Sequence, residues 1–160
     1  MRYTIIGQTV PAVECELNAG ESMFTQSGGM IWQSQGIKMT TNARGGLGRS
    51  LGRMFTGESI FMANYTAEVA GAKIAFGSTV PGSVVPVNIS QAGLICQKGA
   101  FLCAEQTVDL KAIFTKKFTA GLFGGEGLFL TRLTGPGKII LQTQNFNDFA
   151  GKVLSLAPKR

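Results

Sequence analysis

The sequence predicts an all-β fold: a β-sandwich or barrel built from two similar units. Three observations carry this prediction. Apolar and polar residues alternate with period two, turn chemistry recurs about every 8–12 residues, and the chain repeats itself approximately. No window is read as holding the i, i+3, i+4, i+7 spacing of an amphipathic helix over about ten residues. The 160 residues are enough for one domain with a core and too few for two ordinary ones. The expectation is therefore a single all-β domain over 1–160, with approximate repeats at 20–90 and 91–154.

The elements follow in order. Val13, Cys15 and Leu17 alternate with Glu14 and Glu16, and Asn18-Ala19-Gly20 turns the chain. Ser59–Thr66 is a short apolar run of strand length, preceded by a glycine corner. Pro81-Gly82 marks a turn, after which Val85, Val87 and Ile89 share one side of a strand. Val108, Leu110, Ala112 and Phe114 alternate with Asp109 and Lys111, as in a half-buried strand. A strand over Leu128–Thr134 follows a second glycine corner. Gly135-Pro136-Gly137 leads into the apolar run Lys138–Gln142, and Asn147-Asp148 is read as a turn.

The repeat is visible in several places. Phe55–Met62 parallels Phe123–Leu130, with Phe55 and Phe123 lying 68 residues apart. Gly29–Trp32 parallels Gly99–Leu102, and Ile37 and Met39 match Val108 and Leu110. Lys73-Ile74 matches Lys138-Ile139. Repeated units bury faces against one another, and arrays usually want three or more. Two units leave an apolar face for a partner chain, so a homo-oligomer is expected.

Composition excludes more than it assigns. Histidine is absent, which removes histidine triads, histidine metal ligation and a histidine pH switch. Glycine is abundant, at 22 residues, without the triplet period of collagen. Charged residues are only 15%, and mean hydropathy is +0.19, so this is no disordered chain. Cys15, Cys96 and Cys103 are odd in number and irregular in spacing, matching neither a disulfide framework nor a zinc pattern. They are read as reduced, mostly buried thiols. No secretory h-region and no membrane-length apolar run is read, so a cytoplasmic protein without a transmembrane segment is expected.

The candidate chemistry is thin. Gly45–Gly52 resembles a phosphate loop, but Leu51 breaks a dinucleotide fingerprint and no Gly-Lys-Ser/Thr occurs. Glu58 and Glu126 occupy matching places in the recurring Phe-x-Gly-Glu motif. Repeat-equivalent carboxylates have similar environments, whereas an acid/base pair needs different ones. They are read as accepting backbone N–H bonds at glycine corners. Net charge is +6, and four cations, Lys38, Arg44, Arg49 and Arg53, fall between Glu21 and Glu58 with no acidic residue among them. Those four are the candidate anion- or nucleic-acid-binding residues. No catalytic, cofactor or metal residue is assigned, and no enzyme activity is expected.

Several segments in order carry a family signal: Gly57–Met62, Pro81-Gly82, Cys96–Leu102, Gly121–Leu130 and Leu133–Lys138. Together they resemble the altered-inheritance-of-mitochondria (mitochondrial biogenesis) family, bacterial proteins of largely uncharacterised role with mitochondrial relatives. The resemblance implies a fold like that of the trp RNA-binding attenuation protein, β-sandwich units in a double-stranded β-helix-like arrangement, and no enzyme activity. It also implies a third β unit that this chain lacks. The resulting functional expectation is a non-enzymatic structural or scaffolding protein that assembles through β-sheet faces. The alternative is an RNA- or anionic-ligand-binding module using the basic Gly/Arg-rich loop.

Overall fold

The structure, a computed structural model, describes residues 1–26, 28–43, 61–78, 80–115, 128–144 and 146–156. These residues form thirteen strands, one 3₁₀ turn and one α-helix. The strands are β1 (Arg2–Ile6), β2 (Ala12–Leu17), β3 (Ser22–Gln26), β4 (Met30–Gln33), β5 (Ile37–Ala43), β6 (Phe61–Ala67) and β7 (Ala72–Gly77). They continue with β8 (Val84–Ile89), β9 (Leu94–Gln97), β10 (Phe101–Glu105), β11 (Asp109–Thr115), β12 (Leu128–Thr134) and β13 (Gly137–Gln142). The 3₁₀ turn is Lys98–Ala100, and α1 spans Phe146–Ser155.

Three sheets result. The first has the order β1-β2-β7-β4, the central one β5-β6-β3-β10-β13-β8, and the third β11-β12-β9. Every pairing among them is antiparallel. The fold is therefore a layered sandwich with two cores rather than one. Side chains alternate across a strand, so the central sheet serves both cores. Met23, Cys103 and Ile140 pack with Val13, Cys15, Leu17, Ile74 and Phe76 of the first sheet. Their chain neighbours Phe24, Ala104 and Ile139 pack with Leu110 and Leu133 of the third sheet. The rings of Phe24 and Phe101 stack in this second core, 5.6 Å between centroids.

The alternation of Val13, Cys15 and Leu17 puts all three into the first core, with Glu14 and Glu16 outward. Those two carboxylates pair with Lys73 and Arg2. The strand read from Val85, Val87 and Ile89 divides its duties. Val87 and Ile89 face the second core, Val84 faces the first, and Val85 is exposed. This is the consequence of a sheet buried on both faces.

The strand pairing also recurs along the chain. The order β5-β6-β3 in one half matches β11-β12-β9 in the other, and β2-β7-β4 matches β8-β13-β10. The two copies are joined where β3 pairs with β10. Even an irregularity recurs. β4 shifts register against β7 between Met30 and Trp32, and β10 shifts against β13 between Phe101 and Cys103. Each shift is a β-bulge, a local extra residue that bends and twists its strand. This places Met30 in correspondence with Phe101, 71 residues on and one more than the sequence comparison of Gly29–Trp32 with Gly99–Leu102. At the first bulge, a Cβ on Gly77 would sit 2.3 Å from Ile31 Cδ1, so glycine makes room there.

The helix corrects the sequence reading. Asn147-Asp148 belongs to α1 and is no turn. Phe146, Phe149, Ala150, Val153 and Leu154 do hold the spacing of one helical face.

Candidate functional site

The basic residues come first. Lys38 lies on β5, a terminal strand of the central sheet, opposite Thr66 and exposed to solvent. Arg44, Arg49 and Arg53 lie outside the described residues, as do Glu58, Glu126 and the Gly45–Gly52 loop. Of the candidate cluster, one member is therefore placed.

The described carboxylates are largely engaged. Lys73 Nζ lies 2.8 Å from Glu14, and Lys111 lies 2.8 Å from Asp109. Glu105 accepts the Lys138 backbone N–H at 2.7 Å. Glu21 accepts from the Asn18 N–H at 2.8 Å and from the Met1 ammonium at 3.0 Å. The Asn18 hydrogen bond, with the ammonium beside it, holds the Glu21 carboxyl below the usual carboxylate value. Glu21 and Glu105 line a cleft of about 330 Å³ with Met1, Leu17, Met23 and Gln106. Both carboxylates are occupied by the fold, so the cleft presents no poised acid/base pair. Among the described residues no group of three histidine, cysteine or acidic side chains is arranged to hold a metal ion.

The cysteines are free thiols. Cys15 and Cys103 are fully buried neighbours across the first core. Burial and the adjacent Cys15 push the Cys103 thiol well up. Burial pushes the Cys96 thiol up to about 11. Burial thus favours the neutral form of the Cys96 and Cys103 thiols, which is the less nucleophilic one.

What the described surface does offer is sheet edge. Six strands end the three sheets: β1, β4, β5, β8, β9 and β11. Natural edges are usually blunted by charge or proline. β1 carries Arg2, β5 carries Lys38, β8 carries Pro86, and β11 carries Asp109 and Lys111. β4 (Met30-Ile31-Trp32-Gln33) and β9 (Leu94-Ile95-Cys96-Gln97) carry neither. Ile31 is 56% exposed, Trp32 40% and Ile95 52%. Sequence reasoning missed this pair because no single segment shows it. The signal lies in which strands the topology leaves terminal.

The fold defines a layered all-β protein of antiparallel sheets in which the strand order recurs. The chain belongs to the mitochondrial biogenesis AIM24 family, whose model matches residues 3–154. It is 30% identical over 149 residues to an uncharacterised protein of Streptococcus pyogenes serotype M6, covering 88% of this chain and 59% of that protein. It also resembles the crystal structure of a Streptococcus pyogenes protein, with a TM-score of 0.66 and 26% identity. That match covers 88% of this chain and 63% of the other. The chain thus spans about three fifths of the length of these relatives. No helix among the described residues is long and apolar enough to cross a membrane.

Proposed function

We propose that the chain is a non-enzymatic structural subunit that works by assembling with further copies through its β-sheets. The observation that carries this reading is the apolar surface left on terminal strands of a weakly charged chain, at Ile31, Trp32 and Ile95. Exposed apolar surface on unblunted strands is surface for a partner. Light scattering after size exclusion tests the reading. An oligomer at micromolar concentration is expected, and a stable monomer there overturns it.

A second reading is supported by the placement of Lys38. It stands exposed on β5, the strand that leads into Arg44, Arg49 and Arg53. Four cations without an intervening acid suit the phosphates of RNA or another polyanion. Binding of a single-stranded RNA would then fall steeply with salt. Replacing the three arginines by alanine would lower the slope by roughly 0.7 for each phosphate left without its cation. No binding at low salt dismisses this reading.

A further inference from the structure

The described residues contain one completed junction between the two halves and, among themselves, the two unmatched sides of a second. In the completed junction β3 pairs with β10, with Thr25 opposite Cys103, Phe24 opposite Ala104 and Met23 opposite Glu105. β9 stands where β3 stands. Leu94, Ile95, Cys96 and Gln97 meet β12 as Met23, Phe24, Thr25 and Gln26 meet β6. β4 stands where β10 stands, with the shared bulge fixing the correspondence: Trp32 for Cys103 and Gln33 for Ala104. Yet among the described residues β9 ends the third sheet and β4 ends the first, so neither is paired there with the strand that its counterpart meets.

The backbone is set for that partner. In an antiparallel strand, successive residues turn their N–H and C=O groups to opposite sides. The Ser34 N–H donates to the Lys73 carbonyl, on the β7 side, at 2.8 Å. Gln33 therefore directs its N–H and C=O away from β7, to the outer edge. The completed junction obeys the same alternation. The Gln106 N–H donates to the Ser22 carbonyl at 3.1 Å. Ala104 and Phe24 are therefore a hydrogen-bonded pair, and Cys103 and Thr25 a non-hydrogen-bonded one. Charge and proline block the other four terminal strands.

We propose that β4 of one copy adds antiparallel to β9 of a second copy, with Gln33 opposite Ile95 and Trp32 opposite Cys96. This rests on the assembly reading above and names its contact. The first sheet of one molecule then continues the third sheet of the next, as β10 and its neighbours continue β3 within the chain. Trp32 lies over the core side of β9, where Cys96 and Leu94 are half-buried, in the place Cys103 takes beside Thr25. Each copy offers one edge of each kind, so the contact is head-to-tail and closes into a ring when both edges of every copy are filled.

The register supplies its own test. A non-hydrogen-bonded antiparallel pair brings Cα atoms to roughly 4.5 Å, within the range a disulfide bridges. In the Trp32→Cys variant, copper-phenanthroline oxidation at pH 9 links residue 32 of one copy to Cys96 of another. Mixing ¹⁵N-labelled and unlabelled protein shows by peptide mass that the linked residues come from different chains. Adding Cys96→Ser abolishes the link. A second variant needs no crosslink. Gln33→Pro removes the outward N–H, and the particle falls to monomer mass with the far-ultraviolet circular dichroism unchanged. An oligomeric wild type whose mass survives Gln33→Pro, or which gives no link between residues 32 and 96, overturns this edge assignment alone. A monomeric wild type overturns the assembly reading with it.

Discussion

At Asn64 the fold accepts a cost that a single substitution removes. The residue is buried on β6, between Thr40 and Phe24 on the flanking strands, and neither polar atom of its amide has a hydrogen-bond partner among the described residues. An unsatisfied buried polar group costs about 1–3 kcal/mol. Asn64→Leu keeps a similar volume without that demand, so urea unfolding should show a gain of about 1 kcal/mol or more. Glu21 acts in the opposite sense. Its carboxyl is lowered in the folded chain, so its charged form is favoured by folding. That contribution is full above the ordinary carboxylate range and is lost as pH falls through the lowered value. Thermal melts from neutral to acid pH should therefore decline less steeply in Glu21→Gln than in wild type. A parallel decline would show that the pairing adds no stability.

Among the elements, α1 stands apart. Its large apolar side chains are exposed, Phe149 at 45% and Leu154 at 72%. A stop after Gln144 should change stability by less than about 1 kcal/mol, read as a melting shift of a few degrees at most. A larger loss would mean that the helix supports the sheets. The helix also shows where sequence reasoning falls short. The periodic spacing from Phe146 to Leu154 was there in the sequence, but Asn147-Asp148 read as a turn, and local composition outweighed period. The opposite holds for β2, where strict alternation named the inward residues correctly; on β11 it holds for Leu110, while Ala112 is exposed. β8 falls between. A central sheet buried on both faces gives a strand with no single inward side, and period two cannot say which core each residue enters.

For the whole molecule, the all-β class and the family were legible in the sequence because both rest on order along the chain. The two-core layering was not, since it depends on β3 pairing with β10 across 77 residues, as in the Thr25 hydroxyl bond to the Leu102 carbonyl. The candidate edges were illegible for the same reason. β4 and β9 are short and ordinary as segments. They matter only as the two strands whose counterparts meet and which themselves do not.

Because those two edges differ, an assembled particle has a direction. A copy carrying Gln33→Pro still presents an intact β9 and so receives a neighbour on one side only. Mixed into wild-type protein, it acts as a chain terminator. A minor fraction should lower the mean particle mass by more than its share of the mixture. A variant blocked at both edges, Gln33→Pro with Ile95→Pro, should dilute the population without poisoning it. Light scattering across a titration of each separates the two behaviours: a dominant effect from the singly blocked copy, and none from the doubly blocked one.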